Sequence, residues 1–260
     1  MAGTPNFLNI NQTGYTDIGQ VRKENEDFFV NIHSPENNFV FTVVADGMGG
    51  HTGGAVASEL AATAVSGHLK TSLSLVKSYE SIFPQLQLHL ESAIHHANNQ
   101  LLHYKQQHRN LADMGTTLVV AVICNKHLLI ANVGDSRAYL YSHNKLQQVS
   151  KDHSVVQDLI DSGALTAEMA RSSNIRNQLT QAVGINQNFT INFSPIELEG
   201  SGLILLCSDG LTEYLDLQAL ETELGRGLPP AQSCHRLIEA ANKQGGNDNI
   251  TVTIVEFGGD

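Results

Sequence analysis

The sequence is short of cysteine, of positive charge and of long apolar runs, and each shortage argues against a class of protein. Its three cysteines, Cys124, Cys207 and Cys234, are odd in number and widely spaced, which argues against a disulfide framework and fits a reducing, cytoplasmic setting. Only 15 Lys and Arg stand against 26 Asp and Glu, a formal net charge of −11. That balance argues against binding to nucleic acid or to an anionic membrane, since both need basic patches. No apolar stretch approaches the ~18 residues of a spanning helix. The polar start, Met1 to Gln12, also lacks the basic segment and apolar core of a targeting sequence. Internal repeats, low-complexity segments and a convincing linker are missing too. With 260 residues and 41% apolar composition, the expectation is a single packed domain spanning residues 1–260.

The stretch Val43 to Ser58 stands out. Phe39 to Val44 is apolar apart from Thr42, as in a buried strand, and it runs into Asp46, where the strand is expected to stop. Gly47, Gly49, Gly50 and Gly54 follow, and such residues permit positive φ and close approach of the backbone to a bound group. A small-residue helix is expected from Gly54 to about Lys70. Read alone, this turn is equally a cation site, a tight turn or a phosphate cradle, although a cradle normally carries a Lys where this one leads with an acid.

Elsewhere, Asp27 to Ile32 reads as a strand preceded by the charged run Arg22 to Asp27. In that run Arg22 suits the grip of a phosphate, and Glu26 and Asp27 suit a cation. A helix is expected from about Glu80 to His108, with Leu86, Leu90, Ile94, Ala97 and Leu101 on one face. His89, His96 and His103 recur every seven residues; paired metal ligands on a helix stand three or four apart, so the stripe reads as a solvated face. Strands are expected at Thr117 to Cys124, His127 to Val133, Ala138 to Ser142, Phe189 to Leu198, Gly202 to Cys207 and Ile250 to Phe257. Helices are expected at Val155 to Asp161, Thr166 to Ala170, Asp216 to Leu224 and Pro230 to Gln244. The polar stretch Ser150 to Gly184 reads as a mobile flap.

Asp46, Asp135, Asp209 and Asp248 each touch glycine or a short polar turn at a strand end, and Glu26 with Asp27 sits at the start of another strand. Strand ends from distant parts of a chain meet at one edge of a sheet. Carboxylates gathered there repel unless divalent cations neutralise them. Oxygen-only ligands point to Mg²⁺ or Mn²⁺. Two such ions about 4 Å apart activate a water and orient a phosphoryl group for in-line attack, so the expected reaction is phosphoester hydrolysis.

At this point the chain resembles a known family, the metal-dependent Ser/Thr protein phosphatases of type 2C, in particular its compact bacterial and cyanobacterial members. The matching segments are Arg-Lys-Glu-Asn-Glu-Asp at Arg22, Ala-Asp-Gly-Met-Gly-Gly-His at Ala45, Met-Gly-Thr-Thr at Met114 and Val-Gly-Asp-Ser-Arg at Val133. Asp-His-Ser at Asp152, Cys-Ser-Asp-Gly-Leu at Cys207 and Gly-Gly-Asn-Asp-Asn-Ile-Thr-Val at Gly245 follow in the family's order. The resemblance implies an α+β fold, a four-layer α/β/β/α sandwich with two central, mainly antiparallel sheets. It implies that Asp46 bridges two Mg²⁺ or Mn²⁺ ions, with the Gly47 carbonyl on one of them. Asp209 and Asp248 would complete the first site and Glu26 would serve the second, with Asp27 supporting them through hydrogen bonds. Asp135 with Asp209 would hold a weaker third ion, and Arg22 the substrate phosphate.

Some members carry a His directly after the Asp-Gly as a proton donor; this chain has Met48 there. His51, three residues on, is left either to donate through a water or to stabilise the turn. The implied substrates are phosphoproteins, such as Ser/Thr kinases or their targets, and the implied state is a monomer. A cysteine phosphatase is excluded, because it needs Arg six positions after its Cys and this chain has Ile130, Glu213 and Ala240 there. No Gly-Lys-Ser/Thr loop supports a nucleotide kinase. A catalytically silent protein of the same fold is expected to lose metal acids, and every acid position here is filled.

Overall fold

Strands with apolar residues on both faces must be covered on both sides. The computed structural model, which describes residues 9–34, 39–50, 52–74, 79–171 and 173–258, stacks them in two sheets. One sheet has the order β1 (Asn9–Asp17), β11 (Ile250–Gly258), β10 (Gly202–Cys207), β7 (Arg137–Ser142), β8 (Lys145–Gln148). The other has the order β2 (Asp27–Ser34), β3 (Phe39–Met48), β5 (Leu118–Cys124), β6 (His127–Val133), β9 (Asn192–Glu197), and β4 (Gly115–Thr116) pairs with the end of β3. Every pairing is antiparallel.

Alternation along each strand divides the core into three layers. On β3 and β5, Phe41, Val43, Leu118, Val120 and Val122 face α1 (Thr52–Ser74) and α2 (Tyr79–Gln107). Val44, Val119 and Ala121 face the opposing sheet, where they meet Ile204, Leu206 and Val255. Leu205, Cys207, Val252 and Ile254 cover the outer face of the first sheet, against α5 (Asp209–Thr212), α6 (Leu217–Leu224) and α7 (Pro230–Gln244). The order is helix, sheet, sheet, helix, the α/β/β/α sandwich expected. Helix α1 lies close to its sheet because Ala57, Ala61 and Ala62 are buried there; a larger side chain at such a position costs about 1–3 kcal/mol by overpacking.

Between β8 and β9, the chain forms α3 (Val155–Asp161) and α4 (Ala167–Arg171). A bridge between Ser154 and Leu179 closes this segment on itself, and a second, Thr116 with Val183, ties its far end to β4. All three cysteines are free and buried. Among the described residues, no helix is long and apolar enough to cross a membrane.

Three sequence expectations change. Strand β3 does not stop at Asp46 but continues to Met48, because Gly47 and Met48 pair with Thr116 and Gly115. Asp209 does not lie in an open turn; it is the first residue of α5. The sequence reading passes over β8, whose Lys-Leu-Gln-Gln offers one apolar residue, as suits an exposed edge.

Candidate metal centre

All the predicted acids in the described structure come to one end of the sandwich, contributed by both sheets. Asp27 opens β2 and stands opposite Asp46 on β3. Glu26 precedes Asp27, Asp135 lies in the turn between β6 and β7, Asp209 follows β10, and Asp248 precedes β11. His51 lies outside the described residues.

The glycines beside Asp46 act in two different ways. Gly49 and Gly50 take positive φ, +123° and +70°, which turns the chain from β3 into α1. Gly47 and Gly54 are needed for proximity: a Cβ on Gly47 would sit 2.0 Å from the Gly54 carbonyl oxygen, and one on Gly54 2.5 Å from Glu26 Oε1. The start of α1 is thereby held against both Glu26 and Gly47.

The electrostatics of the cluster favour neutralisation. Burial, then Asp27, Asp209, Asp135 and Asp248 in turn, push Asp46 well above the usual carboxylate range. Asp135 is raised in the same way, by burial first and by Asp209 next. Burial lifts Asp27 to about 7 against the opposing Ser208 hydrogen bond, and it lifts Asp209 to about 6 with help from Asp248. Glu26 Oε1 and Asp27 Oδ1 are buried without a hydrogen-bond partner. A hard divalent cation fits this donor set of carboxylate oxygens.

Among the described residues, two cations face these acids: the Arg137 guanidinium opposes the upward push on Asp135 and Asp209, and Arg22 contacts the acids at the other end of the cluster. Arg22 Nη2 donates to Asp248 Oδ2 at 2.6 Å, and its Nη1 lies 3.8 Å from Glu26 Oε2. The second Asp248 oxygen accepts the Asn249 main-chain N–H at 2.8 Å. Among the described residues no three Asp, Glu, His or Cys side chains already converge as metal ligands. Asp248 is already engaged by Arg22 on one oxygen and by a main-chain N–H on the other.

Polar side chains that the sequence reading left without a role lock the acids in place. Asn249 accepts the Glu26 N–H through Oδ1 at 2.8 Å and donates through Nδ2 to the carbonyls of Ile18 and Glu24. Ser208 donates to Asp27 Oδ2 at 2.6 Å and accepts the Thr251 N–H. Arg137 forks onto Asp152 at 2.7–3.1 Å. The signal for them was present as the polar neighbour of each motif acid: Ser208 before Asp209, Asn249 after Asp248, Ser136 after Asp135.

The histidine stripe on α2 lies apart from this centre. His96 and His103 are exposed and pair with Gln100 and Gln107, as a solvated face requires, but His89 departs from it: it is only partly exposed and its Nε2 is buried without a hydrogen-bond partner. A cleft of about 410 Å³ leads away from Asp135 and Asp209, with Ile160 and Arg176 on one side and Glu213 and Leu217 on the other. Arg176 spans it to Glu213 at 2.8 Å.

The chain can now be set beside known proteins. The family model for protein phosphatase 2C matches residues 19–251. The serine/threonine phosphatase stp of Listeria welshimeri is 36% identical over 241 residues, 93% of each chain. The crystal structure of the Mycobacterium tuberculosis serine/threonine phosphatase PstP/Ppp superposes with a TM-score of 0.84 at 31% identity, covering 96% of this chain and 99% of that one. A second structure, the catalytic domain of PstP in complex with two manganese ions, gives a TM-score of 0.81 at 30% identity over 96% of this chain and 99% of that one.

Proposed function

Since the chain belongs to the protein phosphatase 2C family, and is thus a Mg²⁺- or Mn²⁺-dependent hydrolase of phosphoserine and phosphothreonine in proteins, we propose the following roles for its own residues. Asp46 would serve two ions and the Gly47 carbonyl one of them. Asp209 and Asp248 would hold the first, and Glu26 the second. Asp135 with Asp209 would hold a weaker third. When bound, the ions supply an acidified water as nucleophile and positive charge for the transferring phosphoryl group.

The residues themselves do the rest. Arg22, whose guanidinium already lies at the centre, holds the substrate phosphate with a planar fork that matches its oxygens. Asp27 keeps β2 seated on β10 through Ser208, which fixes Glu26 one residue away. His51 would pass a proton through a water to the leaving alkoxide, the alternative being that it stabilises the turn. The segment 150–184 acts as a flap over the cleft, within one catalytic domain covering the chain. We place the protein in the cytoplasm, as a monomer that opposes Ser/Thr kinases by acting on them or their targets, without nucleic-acid partners.

One observation carries the assignment: six acids from both sheets gather at one end of the sandwich, where burial and mutual repulsion raise Asp46 and Asp135 well above the usual carboxylate range. Such a cluster is costly without cations. Mn²⁺-dependent hydrolysis of p-nitrophenyl phosphate and of a phosphothreonine peptide tests it. EDTA and Asp209→Ala should each abolish turnover, and turnover by Asp209→Ala protein equal to that of the parent would overturn the ligand assignment.

A further inference from the structure

The ladder beside Asp46 contains an irregularity. The pairings Val44 with Val119 and Gly47 with Thr116 put Thr117 opposite Asp46. A regular pair exchanges two main-chain N–H···O bonds. Here only one forms, from Thr117 N–H to the Asp46 carbonyl at 2.8 Å. The Asp46 N–H goes instead to the Thr117 hydroxyl at 3.0 Å. The Thr116 hydroxyl takes over the Thr117 carbonyl at 2.9 Å and also donates to the Asp46 carbonyl at 2.9 Å. Asp46 is thus gripped on both sides of its peptide by two threonine side chains.

The same Thr117 hydroxyl is 2.7 Å from the hydroxyl of Ser136, the residue after Asp135. On the other flank of Asp135, Gly134 lies so close to Thr117 that a Cβ, besides demanding φ +104°, would sit 2.7 Å from Thr117 Cβ and Cγ2. The turn is closed from behind by His153, whose N–H donates to the Gly134 carbonyl at 2.8 Å, and by Asn132, whose amide donates to the same oxygen at 3.1 Å. Thr117 and Ser136 are 3% and 0% exposed. Two buried hydroxyls in contact are a satisfied pair, but loss of either partner strands the other.

Resting on the metal-site roles given above, we propose that the Thr117–Ser136 hydroxyl pair is a positioning bridge that sets the distance between Asp46 and Asp135, and so tunes the weaker ion site without holding an ion itself. Ser136 reaches Asp46 only through Thr117, so the two hydroxyls act as one unit. Removing Ser136's hydroxyl loosens Asp135 while the Asp46 N–H keeps its acceptor.

Calorimetric titration of the metal-free full chain with Mn²⁺ tests this, with thermal melting and steady-state kinetics on a phosphothreonine peptide as companion readouts. For Ser136→Ala the weak binding phase should weaken about tenfold, equivalent to about 1.4 kcal/mol, while the tight phase stays within about twofold. Its kcat should fall at limiting Mn²⁺ and recover in excess Mn²⁺, with KM unchanged. Thr117→Val combined with Ser136→Ala should be no worse in the weak phase than Thr117→Val alone, as expected of coupled groups, and Thr117→Ser should retain parental binding. Equal weakening of both phases, strictly additive single effects, or a lowered melting temperature with both phases intact would overturn the bridge. Should Thr117→Val fail to fold, Ser136→Ala against Ser136→Thr decides alone: Thr must keep the weak phase and Ala must lose it. A parent protein that binds no Mn²⁺ removes the metal-site reading itself, whereas a parent with two phases that Ser136→Ala leaves untouched removes only the bridge.

Discussion

Asp27 and Asp46 are register partners across β2 and β3, two carboxylates directly opposite each other in a buried ladder. Such partners have Cβ atoms roughly 5 Å apart, and like charges there repel. The consecutive residues Ser208 and Asp209 after β10 meet the two members: Ser208 donates to Asp27, while the Asp209 carboxylate adds to the charge facing Asp46. A pair otherwise destabilising is built into the junction of both sheets, where only protons or cations relieve it.

That arrangement fixes how stability depends on pH. Asp27 is raised to about 7 and Asp209 to about 6, and burial and its acidic neighbours raise Asp46 as well, so the metal-free native state binds protons that the unfolded chain releases near pH 4. Native protons in excess mean that stability falls as pH rises. The melting temperature of EDTA-treated protein should decline between about pH 4.5 and pH 7.5, and saturating Mn²⁺ should remove that decline, since the metal displaces those protons. A metal-free melting temperature that climbs across this window would contradict the cluster's proposed electrostatics.

Arg22→Ala should raise KM for a phosphothreonine peptide about tenfold, the effect of losing a charge-assisted contact of about 1.4 kcal/mol, with a smaller change in kcat. Because Arg22 also pairs with Asp248 at 2.6 Å, its removal should leave Mn²⁺ affinity equal or tighter. Calorimetry showing a lost metal phase would instead make Arg22 a support for the site.

Gly54→Ala examines the packing of α1 on the centre. The added Cβ would lie 2.5 Å from Glu26 Oε1 and 2.9 Å from the Gly47 carbonyl carbon, so Glu26 or the helix must shift. Alanine is the better helix former by about 1 kcal/mol. A stabilised or unchanged fold with weakened Mn²⁺ binding would show Glu26 yielding. A melting temperature lowered by several degrees would show the helix yielding, and full activity with parental stability would remove the close approach from the argument.

The acids were legible in the sequence because each stands where an apolar run meets a polar turn: Asp46, Asp135 and Asp209 beside glycine, Asp248 between two asparagines, and Glu26 with Asp27 at the start of a strand. Periodicity likewise located β10, α3 and α7 to the residue, since Gly202–Cys207, Val155–Asp161 and Pro230–Gln244 are bounded by turn formers. Long-range register was not legible. Nothing local announces that Asp27 faces Asp46, or that Arg22 reaches Asp248, 226 positions away. Nor does composition distinguish Gly49, needed for its φ, from Gly54, needed for what would strike its side chain. The Thr117 hydroxyl was invisible for a related reason: its role exists only once a strand ladder has placed it opposite Asp46.

Asp135→Ala should reduce peptide hydrolysis while both tighter Mn²⁺ ions still bind. Asp135 reaches the rest of the cluster mainly through Asp209, so its loss removes one ligand from the weak site and one repulsion from the strong one. Calorimetric loss of all Mn²⁺ binding would place Asp135 among the ligands of the main pair.

The leaving alkoxide needs a proton, and the side chain directly after Asp46-Gly47 is Met48, a thioether that has none to give. Positioned general acids contribute about 10²–10⁴-fold, and the benefit shrinks when the leaving group departs readily as an anion. His51→Asn should therefore lower kcat for a phosphothreonine peptide about a hundredfold yet leave p-nitrophenyl phosphate hydrolysis within a few fold, because nitrophenolate leaves without protonation. The alkaline limb of the pH profile for the two substrates separates this role from a structural one: proton donation predicts that only the peptide's profile loses its fall above neutral pH. Equal losses on both substrates, with unchanged profile shapes, would assign His51 to holding the turn after β3.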